Sequence, residues 1–99
     1  WASGESWQYA PLGAALAERG VLCCIPTYTL FPQALVGQQV REVGQALSWV
    51  LDNVGTLGGD NCNVSLVGHS AGAHLGAVEI LRRAGLGEAR DARQPRRFV

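Results

Sequence analysis

Two apolar runs, "VLCCIP" at 21–26 and "NVSLVG" at 63–68, flank one long amphipathic stretch, and this order restricts the fold more than any other feature of the chain. Within the stretch, Val36, Val40, Val43, Leu47, Val50 and Val54 recur at steps of four and three, which predicts a helix with one apolar stripe. Gln38, Gln39, Arg41, Glu42 and Gln45 fall off that stripe. The first run is continuously apolar and carries β-branched Val21 and Ile25, as a strand covered on both faces does. Two strands joined by a helical crossover make a right-handed βαβ unit with parallel strands, so the class is α/β.

The flanking segments agree. "PLGAALAER", Pro11 to Arg19, reads as a short helix with proline in its first turn and Gly20 as its stop. "TYTLFPQAL" is a loop, because Pro32 biases Phe31 away from helical angles. Gly55, Gly58 and Gly59 end the long helix, and "GGDN" supplies turn chemistry before the second strand. After Gly68, the residues Ala71, Leu75, Val78, Ile80, Leu81 and Ala84 predict a further helix that ends near Gly85. The stretch from Gly85 to Val99 holds four of the eight arginines and little apolar periodicity. It reads as a solvated tail or linker, with a basic docking segment as the other reading. The expected division is therefore one domain over 1–86 and an Arg-rich tail over 87–99, with no internal repeat.

Ninety-nine residues suit one small domain, but fewer than enzymes of open α/β type generally use. Apolar residues make up 47% and charged residues 16%, with eight acids against eight bases. This balance argues against disorder and against electrostatic capture of nucleic acid. Cys23, Cys24 and Cys62 show neither a CxxC pair nor a metal-ligand spacing with histidine, so free thiols are expected and no metal or cofactor is implied. The first nine residues lack a basic start followed by an apolar core, and the longest apolar run, Val21 to Pro26, is too short to span a bilayer.

Chemistry enters at "VSLVGHSAGAHL", where Gly68, His69, Ser70, Ala71 and Gly72 spell Gly-x-Ser-x-Gly between the second strand and the last helix. In that setting the glycines allow strand and helix to press together, and the serine between them sits on a sharp turn that exposes its hydroxyl. Ser70 is the candidate nucleophile. The Ala71 backbone N–H, at the helix N-terminus, is the candidate oxyanion-hole donor.

A serine hydroxyl needs a histidine to take its proton, and the imidazole is commonly oriented by a carboxylate. His69 and His74 are the two histidines of the chain. His69 adjoins Ser70 on a turn where neighbouring side chains diverge; His74, one helical turn on, is expected to be a hydrogen-bonded structural residue. In this strand–turn–helix arrangement the acid and the histidine follow the serine on later strand ends. Only 29 residues follow Ser70, and Asp91 among them has no histidine after it. A complete triad is not expected within these 99 residues.

The residues resemble those of a known family. "GVLCCIPTYTLFPQALVGQQVREVGQALSWVLDNVGTLGGDNCNVSLVGHSAGAHL" resembles the nucleophile-bearing segment of the α/β-hydrolase fold, in the esterase branch related to hormone-sensitive lipase. It is most similar there to isoprenylcysteine alpha-carbonyl methylesterases. Tyr28, Phe31, Pro32, Gln33, Gly58, Gly59, Asp60, Gly68, Ser70, Ala71, Gly72, Ala73 and His74 match that pattern, and Trp1 matches the tryptophan that closes the family's His-Gly-Gly oxyanion loop. Thr27 and Thr29 depart from it where Asp and Arg are common around the tyrosine, as does Asn61 where proline is usual.

The resemblance implies a partial α/β-hydrolase fold and hydrolysis of a small carboxylic ester by Ser70, without a cofactor. The implied substrate is a prenylcysteine methyl ester. It further implies a longer protein at endoplasmic reticulum or Golgi membranes, held there by segments outside this one, or otherwise in the cytoplasm. Two other readings stand beside it. One is an arylformamidase-like amide hydrolase using the same turn. The other is a non-catalytic, hydrolase-like binding module whose partner contacts would depend on Arg90, Arg93, Arg96 and Arg97.

Overall fold

Pro11 stands in the first turn of helix α1, Ala10–Ala17, which follows a single 3-10 turn at Ser6–Tyr9. Its end is the one Gly20 predicts. Gly20 has φ 77°, and the Gly20 and Val21 N–H groups donate to the Ala17 and Leu16 carbonyls, both at 3.0 Å. These bonds form a Schellman closure. These details come from a computed structural model, which describes residues 1–86 and 91–99; Leu86 is described by its backbone alone, and the expected boundary at 86/87 and Arg90 fall outside the described region.

Helix α2, Val36–Asn53, forms where its stripe predicts, then tightens into a 3-10 turn over Val54–Leu57 that Gly58 closes at φ 88°. Its inward face is rotated from the predicted stripe. Gln39, Val40, Gly44, Leu47 and Leu51 are buried, whereas Val36 is exposed. The reason is Gly44: a Cβ there would lie 2.6 Å from the Glu79 carboxylate, so a second helix crosses at the glycine and turns that face inward. That helix is α3, Ala71–Leu81, which runs on into a π turn at Arg82–Leu86 with Gly85 at φ 87°. Val40, Leu47, Leu51, Val54 and Leu75 make the core, joined by Ala34 from the loop before α2.

The βαβ unit expected from 21–26, α2 and 63–68 does not form; a parallel unit stands one step later in the chain. Strand β1, Ser65–Leu66, pairs parallel with β2, Arg97–Phe98, in the register Ser65 with Arg97 and Leu66 with Phe98; α3 is the crossover. Bonds from Arg96 N–H to the Val64 carbonyl (2.7 Å), Val99 N–H to Leu66 (2.9 Å) and Gly68 N–H to Val99 (2.9 Å) extend the ladder in both directions. The expected solvated tail is thus in part a strand. Phe98 gives it an apolar anchor, close enough to Gly76 that a Cβ there would meet the ring at 2.9 Å.

The run at 21–26, expected as a strand, has no place in the sheet. Cys23 and Ile25 are half-buried against Gly13 of α1, while Val21 and Leu22 are exposed. Hydropathy reports which side chains seek cover; it does not supply the paired backbone that makes a strand. All three cysteines are free thiols, and Cys24 and Cys62 are exposed. Among the described residues no helix is long and apolar enough to cross a membrane.

Behind the core, buried Arg83 ties the two helices to the returning strand. Its Nε donates to Glu79 Oε1 at 2.8 Å, and its Nη2 to the Gly44 carbonyl and Ser48 Oγ, each at 2.7 Å. Nη1 donates to the Arg93 carbonyl at 2.9 Å and lies 3.5 Å from Asp91 Oδ2. One guanidinium therefore satisfies partners on α2, on α3 and on the approach to β2.

Candidate active site

Between β1 and α3 the chain makes the sharp turn that the Gly-x-Ser-x-Gly spacing predicts. Ser70 has φ 53° and ψ −117°, and among the described residues it is the one non-glycine with positive φ. Such a conformation costs on the order of 1 to 3 kcal/mol and persists only where the surroundings enforce it. Gly68 is part of that enforcement. A Cβ at position 68 would lie 2.7 Å from the Ala73 Cα and N and from the Gly72 carbonyl, all backbone atoms that cannot step aside. Gly72 differs from the expectation that both glycines serve close approach: a Cβ there meets nothing within 4 Å.

Ser70 is exposed and its hydroxyl caps nothing. Ala71 is the first residue of α3, so its N–H has no partner within the helix. The Gly72 N–H turns back to the His69 carbonyl at 2.9 Å. The turn thus presents a hydroxyl and a helix-terminal N–H together. Two concavities of about 340 and 350 Å³ lie elsewhere, one between α1 and Gly58, the other beside Cys62 and Arg93; Ser70 lines neither.

The histidines do not complete a charge relay here. His74 accepts a hydrogen bond at Nδ1 from the Trp1 indole N–H (3.3 Å), and the two rings meet edge to face with centroids 5.7 Å apart. It is hydrogen-bonded as expected, although on an exposed surface. His69 is exposed. Asp91 is engaged by Arg93, whose Nη2 lies 2.6 Å from Asp91 Oδ2, and those bonds hold its carboxyl well below the usual carboxylate range. No carboxylate–histidine–Ser70 chain exists among the described residues.

A polar scaffold that the hydropathy pattern does not reveal ties α2 to Trp1 and to the loop at 27–31. Gln39, placed off the stripe by sequence, is wholly buried; its Nε2 donates to the carbonyls of Trp1 (2.8 Å) and Thr29 (3.0 Å). The Trp1 carbonyl also accepts the Phe31 N–H at 2.7 Å. Glu42 Oε2 accepts the Thr29 N–H at 2.6 Å and Oε1 accepts Gln38 Nε2 at 2.8 Å; the Thr29 bond is the main cause of its lowered pKa. Thr27 Oγ1 bonds Ser6 Oγ at 2.9 Å. Hydrogen bonds through Thr27 and Thr29 thus hold this loop.

The tail arginines that the structure describes are exposed, and each bonds to another part of the chain. Arg93 pairs with Asp52 (2.7 Å) as well as with Asp91, while Arg96 and Arg97 both donate to Asn63 Oδ1, at 3.4 and 3.2 Å.

With the strand, turn and helix in place, comparison with known proteins is decisive at the level of family. The sequence profile of the BD-FAE family matches residues 1–89. The chain belongs to the BD-FAE family. This is a family of α/β-hydrolase class, and the similarity extends to named esterases. A probable isoprenylcysteine alpha-carbonyl methylesterase, ICMEL1, of Oryza sativa subsp. japonica is 40% identical over 84 residues, covering 85% of this chain and 20% of that protein. Isoprenylcysteine alpha-carbonyl methylesterase ICME of Arabidopsis thaliana is 36% identical over 84 residues, with the same coverage of 85% and 20%. Esterase LipQ of Mycobacterium tuberculosis is 33% identical over 79 residues, 80% of this chain and 19% of LipQ. This BD-FAE chain therefore spans about a fifth of the length of the curated relatives it matches. No solved structure matches it.

Proposed function

We propose that this BD-FAE segment carries the nucleophile of a serine carboxylic-ester hydrolase. The observation that carries the proposal is the strained Ser70 backbone, φ 53° and ψ −117°, held at the start of α3 with its side chain exposed. Ser70 Oγ attacks the acyl carbonyl, and the Ala71 N–H, aided by the helix terminus, receives the developing oxyanion. The proton leaves to a base supplied outside the described residues. His74 is committed to Trp1 and Asp91 to Arg93.

The names of the two plant relatives support an isoprenylcysteine methyl ester as substrate, and that of LipQ supports an ester more generally. The test uses the full-length protein. A fluorophosphonate should label wild type and not Ser70→Ala, and Ser70→Ala should lose at least about a thousandfold in kcat on a p-nitrophenyl ester. Side-by-side turnover of a prenylcysteine methyl ester and N-formylkynurenine separates ester from amide specificity. Turnover that survives Ser70→Ala, or absent labelling of wild type, rejects the proposal; absent labelling favours a binding module instead.

A further inference from the structure

Gln39 is wholly buried on α2, and its side-chain oxygen Oε1 has no hydrogen-bond partner. Burying an amide with one end orphaned offsets much of what its two donated bonds contribute, so internal stability is a poor account of glutamine at this position. What the amide does is fix another segment. Its Nε2 holds the Trp1 carbonyl at 2.8 Å while the Phe31 N–H holds the same oxygen at 2.7 Å, and two donors on one oxygen set the plane of that peptide. From that plane the Trp1 indole reaches α3 and donates to His74 Nδ1 at 3.3 Å, with the ring planes at 72°. The His74 backbone N–H in turn donates to the Ser70 carbonyl at 3.1 Å, so this is the first turn of α3, the end that bears Ser70 and Ala71.

We infer that Gln39 is a positioning residue for the Ser70 site, acting through Trp1 on His74 and the first turn of α3; the inference rests on Ser70 being the nucleophile. It touches no substrate. Its part is to keep the Trp1 segment seated beside the helix terminus where the oxyanion forms, and small misplacements there are costly to rate.

The test is made in the full-length protein with Gln39→Met, which keeps the length of the side chain and removes both the donor and the orphaned oxygen. We expect kcat on a p-nitrophenyl ester to fall about tenfold with KM within about twofold. The thermal midpoint should change little, since relief of the unsatisfied oxygen offsets the loss of the two bonds that Nε2 donates. Trp1→Phe, which keeps a ring and removes the indole N–H, should give a similar loss, and the double variant no more than either alone. Hydrogen exchange at the Trp1 indole N–H should quicken in Gln39→Met. Unchanged kcat in a folded variant, losses that add, or a midpoint that falls in step with kcat overturn the inference. If wild type shows no Ser70-dependent turnover, the proposed function has failed instead, and indole exchange alone then decides the link, unchanged exchange rejecting it.

Discussion

Ser70 holds a backbone conformation that most residues avoid, and the atoms that keep it there differ between its two flanking glycines. At Gly68 an added methyl group would press on the backbone of Ala73 and Gly72; at Gly72 it would meet open space. Gly68→Ala should therefore destabilise the protein by about 1 to 3 kcal/mol. Gly72→Ala, in the first turn of α3, should be neutral or stabilise by up to about 1 kcal/mol through helix propensity. Chemical denaturation of the two variants checks the contrast, and equal effects would contradict it. The turn geometry of the candidate site was legible in sequence to the extent that it is local. Ser70, Ala71 and Gly68 follow from spacing within five residues. Gln39 did not, because a pattern that sorts positions by hydropathy assigns glutamine to solvent; only the distant Trp1 and Thr29 carbonyls show what the amide bonds.

Among the elements, α2 and α3 meet where Gly44 admits the Glu79–Arg83 pair, whose side chains are almost wholly buried. Arg83→Met should cost about 3 to 5 kcal/mol, because Glu79 is left charged and unpaired inside. Adding Glu79→Leu should recover much of that loss but not the bond to the Arg93 carbonyl. Denaturation of the single and double variants reads both effects. Asp91 gives a pH dependence of defined sign. Side-chain and backbone hydrogen bonds involving Arg93 depress its pKa, so its contribution is complete above the ordinary carboxylate value of about 4 and is lost as pH falls below it. The thermal midpoint should drop in acid, and Asp91→Asn should flatten part of that drop. The helices were readable from periodicity, but the parallel unit expected from 21–26, α2 and 63–68 does not form; the one observed joins β1 and β2 across α3. Which two strands would pair was not readable. β2 is two residues long in an arginine-rich stretch, and its place depends on Arg83 and Gly76, contacts that no local pattern encodes.

At the scale of the whole molecule, the described chain leaves much apolar surface open. Trp7, Val67, Leu35 and Val99 are each about 70% exposed, and a two-stranded sheet has two free edges. The 99 residues expressed alone should bind a hydrophobic dye, self-associate and melt without a sharp transition, with negligible esterase activity. A cooperative monomeric melt in calorimetry would contradict this. The ladder bond from the Gly68 N–H to the Val99 carbonyl also bears on the timing of synthesis. On the ribosome α2, β1 and α3 emerge first and can dock through local contacts, whereas β2, the strand that pairs with β1 among the described residues, leaves the exit tunnel only afterwards. The turn that bears Ser70 therefore gains this ladder support only late in the synthesis of the segment, after α3 has already emerged.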